Sequence, residues 1–141
     1  MDFSKQRDIF DPNLWPWPVH LVGLGGIGSA VAPVVAKLGI RDIVLWDDDL
    51  VEEGNIPSTL LYRPADIGKP KVIAAAEHLR ACTDVNVTVM QQRFGDGDAL
   101  EGVAISGVDS MASREAVWKG VRWQTTVPLY LDGRLGGEIL Q

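Results

Sequence analysis

Short apolar runs alternate with segments of helical period along most of this chain. The runs predict five strands, at Val19–Leu24, Asp42–Trp46, Val85–Met90, Gly102–Val108 and Val127–Leu131. The segments between them predict helices at Ile27–Leu38, Lys71–Ala81 and Ala112–Val121. Strand, helix and strand at these lengths are typical of βαβ units, so we predict an α/β domain with a mostly parallel sheet and flanking helices.

The polar and proline-rich stretches place the boundaries of this domain. Residues 1–18 form an N-terminal arm in which Phe10, Leu14, Trp15 and Trp17 are apolar, and residues 19–141 form the domain itself. Residues 50–70 contain three prolines and two glycines, and a loop of this length inside a domain is usually functional or disordered. Pro70 fits the first turn of the following helix, whereas Pro33 should kink its helix or remove a hydrogen bond. The chain ends in mid-pattern, so we expect a fold truncated at its C-terminus.

Composition narrows the class of protein. With 46% hydrophobic and 23% charged residues, the 141-residue chain is globular. A net charge of −6 without a basic stripe argues against a nucleic-acid partner. No stretch reaches the roughly 20 apolar residues of a membrane span, so we expect a cytoplasmic protein with no membrane contact. The single cysteine, Cys82, excludes a disulfide within the chain, and we expect it to be a small buried hydrophobe.

The strongest local motif lies between the first strand and the first helix. Gly23, Gly25 and Gly28 give the spacing G-x-G-x-x-G, with Gly26 between them. Glycines let the backbone approach a phosphate, and the helix N-terminus offers unpaired N–H groups. Asp47 ends the second strand 24 residues after Gly23, where a Rossmann-like fold places an acid for ribose hydroxyls. These features predict a nucleotide site but do not distinguish NAD or FAD from ATP.

Further motifs identify a family. After the glycine loop come Gly39-Ile40, Leu45-Trp46-Asp47-Asp48-Asp49-Leu50-Val51, Asn55-Ile56, Asp66-Ile67-Gly68-Lys69-Pro70-Lys71 and Val108-Asp109-Ser110 with Arg114. In this order and spacing the chain, from about residue 5 to its end, resembles the ThiF/MoeB/HesA family of ubiquitin-activating-enzyme-like adenylyltransferases. The resemblance favours ATP over a dinucleotide. Residues 19–141 would be the ATP-binding adenylylation domain, the N-terminal part of a longer family fold.

The resemblance implies a role for each matched residue. Gly23, Gly25, Gly26 and Gly28 would bind ATP together with Asp47, which would hold the ribose, and Asp49. Asn55 and Lys71 would approach the phosphates, although Lys69 competes with Lys71 for that role. Asp109 would be the aspartate linked to Mg²⁺, and Arg7 would reach the ATP of a partner subunit in a homodimer. Lys71, Asp109 and Arg7 would be catalytic.

The reaction implied is ATP- and Mg-dependent adenylylation of the C-terminal carboxylate of a ubiquitin-like or sulfur-carrier protein ending in Gly-Gly. Two departures from the family pattern bear on it. Ser58 stands where the family has an arginine, which removes a phosphate-binding charge unless Arg63 replaces it, and Ser110 stands where an asparagine is usual.

Two other interpretations remain open. A catalytically dead nucleotide- or partner-binding module would explain Ser58. An NAD-dependent oxidoreductase domain would explain the glycines and Asp47 but not Asn55, Lys71 and Asp109. His20 and His78 have no apparent partner in the pattern and are expected to be packing or surface residues.

Overall fold

Five parallel strands form the central sheet of the computed structural model, which describes residues 1–95, 97–136 and 139–140. The strands are β1 (Val19–Val22), β2 (Asp42–Trp46), β3 (Asn86–Met90), β4 (Val103–Ser106) and β5 (Leu129–Asp132). Their order across the sheet is β3-β2-β1-β4-β5. This is the Rossmann-like order: β2 and β3 are added on one side of β1, and β4 and β5 are added on the other side, so the strand order reverses between β1 and β4. The predicted α/β architecture is confirmed.

Helices cover both faces of the sheet. They are α1 (Gly26–Lys37), α2 (Asn55–Ser58), α3 (Lys71–Cys82) and α4 (Met111–Val121). One face packs against α1 and α3 and buries a cluster that includes Leu21, Leu45 and Leu79. The opposite face packs against α4 and buries a smaller cluster that includes Val22, Trp46 and Val117. Burial of side chains on both faces explains why the strands are nearly continuous apolar runs.

Most predicted elements are present, with strands shorter than expected. β1 ends before Gly23, whose φ of +88° breaks the extended backbone. β4 begins after Gly102, which has a φ of +95°. β3 lies at the sheet edge, as its alternation of apolar and polar residues predicts: Val87 is buried, and Asn86 and Thr88 are exposed. Two short antiparallel strands, β6 (Leu135–Gly136) and β7 (Ile139–Leu140), follow β5. The end of the predicted domain, residue 141, lies outside the described residues.

Two expectations about individual positions are wrong. Pro70 lies directly before α3 as its N-cap residue, rather than in the first turn. Cys82 is exposed, not buried. It is the last residue of α3, and Leu79 and Thr83 are the residues that are buried at this end of the helix. Pro33 lies inside α1, which continues through it to Lys37, so the residue removes one helical N–H donor without ending the helix.

The N-terminal arm lies against the end of α1 that is remote from the glycine loop. Gln6 Nε2 donates a hydrogen bond to the carbonyl of Leu38 over 2.8 Å, and the Phe3 ring packs against Gly39. Phe10 and Trp15 pack onto the core, whereas Leu14 remains 80% exposed. The division at residue 18 therefore stays a prediction. None of the helices described is both long enough and apolar enough to cross a membrane.

Candidate active site

A pocket of about 370 Å³ opens at the carboxyl ends of the strands. It lies where open α/β sheets bind their ligands, at the reversal of strand order between β1 and β4. The volume falls in the usual range for a small-molecule site, roughly 300–1,000 Å³. The lining residues come from the glycine loop, the ends of the strands and α4, and they include Gly23, Gly25, Gly26, Asp47, Asp48, Asp49, Asn55, Lys71 and Asp109. The structure thus brings together most of the residues predicted for the site.

The glycine loop contains two glycines that the protein itself requires. Gly23 has a φ of +88°, and a Cβ on it would lie about 3.0 Å from Val108. A Cβ on Gly28 would lie only 1.9 Å from the carbonyl oxygen of Gly23, so α1 can pack against β1 only with glycine there. These two positions hold strand and helix together and would be glycine with or without a ligand.

Gly25 is a different case. Its φ of −75° and ψ of −149° lie outside the helical and extended regions, and a Cβ placed on it would have no atom within 4 Å. It lines the pocket and directly precedes Gly26, where α1 begins. Packing among the described residues does not explain a glycine at this position. Close approach of a ligand to the backbone does explain it.

Asp47 is buried at the end of β2 and braces the loop. Its carboxylate accepts hydrogen bonds from the N–H of Leu24 over 2.7 Å and from that of Asp49 over 2.9 Å. The Tyr62 hydroxyl donates to the carbonyl of Leu24 over 2.9 Å, so the backbone of Leu24 is held at both its N–H and its carbonyl. Burial raises the pKa of Asp47, and the two backbone N–H groups oppose that shift. The remaining lone pairs of the carboxylate can accept hydroxyl groups of a ligand.

Lys71 is the lysine that belongs to the pocket. Its side chain is 9% exposed, and its Nζ forms an ion pair with Asp49 over 2.7 Å. Its competitor Lys69 contacts Asp66 and Glu77 instead and does not line the pocket. The geometry therefore separates the two lysines that the sequence leaves open.

The segment that carries Asn55 contains no replacement for the missing arginine. Asn55 lines the pocket at the start of α2, and its Oδ1 accepts the N–H of Glu52 over 2.8 Å. Ser58 is exposed and donates its hydroxyl hydrogen bond to the carbonyl of Gly54. Arg63 pairs with Asp66 over 3.5 Å and does not line the pocket.

Acidic groups dominate one side of the pocket. Asp47, Asp48 and Asp49 each offer a carboxylate oxygen, and these oxygens lie within 4.8 Å of one another. Asp48 also pairs with Arg93 over 3.4 Å. Asp109, the predicted metal ligand, is exposed on the loop between β4 and α4 and lines the same pocket.

Three charged residues without a role predicted from the sequence form a cluster beside the β5 edge of the pocket, where Arg114 lines the pocket and Asp132 and Arg134 flank its lining residue Gly133. Arg114, on α4, donates to Asp132 over 2.5 Å and to the carbonyl of Val108 over 2.8 Å. Asp132 also accepts from the Nε of Arg134 over 2.9 Å. The available signal was position, because Asp132 directly follows the last predicted strand and strand ends meet at the ligand edge of such a sheet.

An aromatic wall closes the β2–β3 side and was also missed. The Trp46 and Phe94 rings, 5.2 Å apart, meet edge to face and line the pocket. The indole N–H of Trp46 donates to Nδ1 of His20 over 3.1 Å. His20 is therefore buried with a partner, and burial lowers its pKa.

Arg7 does not reach the pocket of its own chain. It is exposed in the arm, next to Gln6, which contacts the C-terminal end of α1. The pocket lies at the other end of this 12-residue helix, about 18 Å away at 1.5 Å per residue. Within one chain, Arg7 is separate from every other predicted site residue.

Comparisons with known proteins identify the family of this chain. The model of the ThiF family matches residues 16–120. The chain is 33% identical to the sulfur carrier protein ThiS adenylyltransferase of Escherichia coli, over 70% of its own length and 42% of the relative's. It is 29% identical to the molybdopterin-synthase adenylyltransferase of Escherichia coli, over 98% of its length and 56% of the relative's.

Solved structures give the same answer for the fold. The tRNA N6-threonylcarbamoyladenosine dehydratase TcdA of E. coli, solved in complex with ATP, superposes with a TM-score of 0.81 at 26% identity. That alignment covers 96% of this chain and 60% of TcdA. This chain thus spans about half the length of the proteins it matches. Because the family model covers residues 16–120, most of the chain, the chain belongs to the ThiF family.

Proposed function

We propose that this domain binds ATP with Mg²⁺ and adenylylates the C-terminal carboxylate of a small ubiquitin-like or sulfur-carrier protein. Relatives named as adenylyltransferases of a sulfur carrier protein and of molybdopterin synthase support the reaction class. TcdA, solved with ATP and with AMP, supports the nucleotide.

The observation that carries the proposal is Gly25, a glycine that lines the pocket and that packing does not require. Gly25 lines the pocket directly before a 12-residue helix, and a Cβ on it would meet no atom within 4 Å. Helix N-termini attract phosphates through unpaired N–H groups and a partial positive charge. A triphosphate lying against the backbone of Gly25 and Gly26 would exclude any larger residue from position 25.

The other pocket residues take roles that their contacts allow. Asp47, with its carboxylate fixed by two backbone N–H groups, would accept ribose hydroxyls. Lys71 would exchange its contact with Asp49 for a phosphate oxygen, with Asn55 nearby on the pocket wall. Trp46 and Phe94 offer an apolar surface for the base.

Magnesium fits the remaining acids. Mg²⁺ favours one or two carboxylates together with phosphate oxygens and water. Asp109 and Asp48 are exposed carboxylates that line the pocket, so they would hold the ion. The ion would supply charge neutralisation on the phosphates, which the pocket needs because Lys71, Arg93 and Arg114 are already paired with aspartates.

The chemical step requires positioning more than covalent catalysis. A carboxylate oxygen of the carrier protein attacks the α-phosphorus, the bond to the bridging oxygen breaks, and pyrophosphate leaves with that electron pair. An acyl-adenylate remains. A carboxylate is already ionised at neutral pH, so no general base is needed. Lys71 and the loop N–H groups would stabilise charge that develops on the phosphates.

The test is ATP–pyrophosphate exchange with candidate carrier proteins ending in Gly-Gly. Loss of one donor that stabilises a transition state typically costs about 10²- to 10³-fold in rate. We expect Lys71→Ala to reduce exchange by about this factor and nucleotide affinity by less, since charge develops mainly during reaction. Lys69→Ala is the matched control and should stay near wild type, because the Lys69 ammonium pairs with Asp66 and Glu77 and Lys69 does not line the pocket.

Two outcomes would contradict the proposal. An equal loss in Lys69→Ala and Lys71→Ala would remove Lys71 from the reaction. A titration in which NADH binds more tightly than ATP would favour the oxidoreductase alternative. Tight ATP binding without exchange for any carrier protein would favour a binding module, to which Ser58 and the paired cations of the pocket point.

A further inference from the structure

The β5 side of the pocket is left over once the nucleotide is placed. Asp47 and the aromatic wall lie at the ends of β2 and β3, and the glycine loop lies at β1. A nucleotide bound by these elements extends from β1 towards β3. The ends of β4 and β5 lie on the other side of β1, and Arg114 and Gly133 line the pocket there. This side is therefore free for the approach of a second substrate to the phosphates.

A cluster of two arginines and one aspartate occupies this side. Asp132 is 15% exposed and accepts Nη1 of Arg114 through one oxygen and Nε of Arg134 through the other. Arg114 also donates from Nη2 to the carbonyl of Val108, and its side chain is only 11% exposed, so it is held in place. Arg114 and Asp132 therefore form a fixed base for Arg134.

Arg134 is the member of the cluster that can bind something else. Its side chain is 50% exposed, and Asp132 engages Nε, the nitrogen nearest the main chain. Among the described residues, none forms a hydrogen bond with its Nη1 or Nη2. Two parallel N–H groups in one plane match the two oxygens of a carboxylate, which is the geometry of bidentate arginine recognition.

The charges in the pocket favour an anion at this side. Asp47, Asp48, Asp49 and Asp109 line the pocket, and a free carboxylate would be repelled by them. The cluster of Arg114, Asp132 and Arg134 carries two positive charges and one negative charge, hence a net charge of +1.

We propose that Arg134, held by Asp132, binds the terminal carboxylate of the second substrate and guides it towards the nucleotide. The inference rests on the proposed function, for which it supplies the site of the attacking carboxylate. Arg134 would be a binding residue for that substrate, and Asp132 and Arg114 would be positioning residues.

The experiment measures binding rather than turnover. A dye-labelled heptapeptide ending in Gly-Gly is titrated by fluorescence anisotropy, once with a free C-terminal carboxylate and once with a C-terminal amide. The protein is saturated with Mg²⁺ and a non-hydrolysable ATP analogue. A hydrogen bond to a charged group contributes about 1.5–3 kcal/mol, so wild type should prefer the free carboxylate by roughly tenfold or more.

The variants assign this preference to Arg134. Arg134→Gln should bind the two peptides equally while keeping wild-type affinity for the nucleotide analogue. Arg134→Lys keeps the charge but not the paired donors and should retain a smaller preference. Arg122→Gln removes an exposed arginine that lies outside this pocket and should behave as wild type.

Two results would overturn the inference. In one, wild type does not distinguish the carboxylate from the amide. In the other, Arg134→Gln keeps the preference, and a simultaneous loss of nucleotide affinity would then place Arg134 on a phosphate. Failure of the proposed function is a separate result, because it would show as absent pyrophosphate exchange whether or not the carboxylate preference is present.

Discussion

At the scale of single residues, His20 shows how the fold controls a charge behind the pocket. Its Nδ1 accepts the indole N–H of Trp46, so the hydrogen bond requires the neutral ring. Burial lowers the pKa of His20 below its ordinary value, and a hydrogen bond with the backbone of Glu101 opposes this only in part. Trp46 lines the pocket, so the protonation state of His20 affects the wall against which a ligand would pack.

A pH dependence of stability follows from this pKa shift. The unfolded chain takes up a proton on His20 near the ordinary pKa, and the folded chain does so only at lower pH. The contribution of His20 is therefore complete above the unfolded pKa, near 6.5, and is lost as the pH falls below it. In His20→Asn, Oδ1 replaces Nδ1 as an acceptor that does not titrate.

The measurement is urea denaturation at pH 7.5 and at pH 5.0. We expect the free energy of unfolding to fall more steeply for wild type than for His20→Asn between these two values. His78→Asn, at the only other histidine, should follow wild type. Parallel pH profiles for wild type and His20→Asn would mean that the buried ring makes no such contribution.

Some residues of the site could be predicted from the sequence and others could not. A residue could be predicted when its role depends on neighbours in sequence, but not when it depends on a partner that only the fold brings close. Asp47, Asn55 and Lys71 follow from motifs with fixed spacing, and all three line the pocket. Partners distant in sequence carry no such signal. His20 and Trp46 are 26 residues apart, and Arg114 and Asp132 are 18 apart, so neither pair was expected.

At the scale of elements, the passage from β1 to α1 determines the geometry of the pocket. The alternation of apolar runs and helical segments was enough to predict each strand of the sheet and each long helix. It was not enough for the strand ends, which depend on left-handed backbone at Gly23 and Gly102. The short helix α2, within residues 50–70, could not be predicted because its apolar residues have no helical period. Hydrogen bonds within the segment, such as that from Ser58 to Gly54, stabilise it.

The two kinds of glycine in the loop give a prediction at this scale. A Cβ on Gly28 would clash with the carbonyl of Gly23 at 1.9 Å, and one on Gly25 would meet nothing within 4 Å. We expect Gly28→Ala to destabilise the fold by several kcal/mol, as overpacking against fixed backbone does. Gly25→Ala meets no such clash, so it should lose less stability than Gly28→Ala, and it should lose ATP affinity by about tenfold or more, because the methyl group displaces the phosphates from the loop.

Thermal unfolding and ATP titration of both variants separate the two effects. The interpretation of Gly25 fails if Gly25→Ala binds ATP as wild type does, since its glycine would then have no ligand to explain it. It also fails if Gly25→Ala is destabilised as strongly as Gly28→Ala, because packing would then account for both positions.

At the scale of the whole molecule, one predicted site residue is in the wrong place for a monomer. Arg7 lies in the arm near Gln6 and Leu38, at the end of α1 opposite the pocket. The arm also leaves Ile9 92% exposed and Leu14 80% exposed. In a two-fold dimer the same surface of each subunit meets its copy, so an arm that is remote from its own pocket can approach that of the partner.

We therefore predict that Arg7 acts in trans, and mixed dimers test this. Arg7→Ala and Asp109→Asn should each be inactive alone in ATP–pyrophosphate exchange, and co-refolded mixtures should regain part of the activity. In a mixed dimer, the site that keeps Asp109 is the one on the Arg7→Ala chain, and it receives an intact Arg7 from the partner. The other site lacks both groups, so recovery cannot exceed about half of wild type per mixed dimer. If mixed dimers form and activity stays absent, Arg7 has no role in the partner's site. A role in its own site is already excluded, because the arm and the pocket lie at opposite ends of α1, which is about 18 Å long.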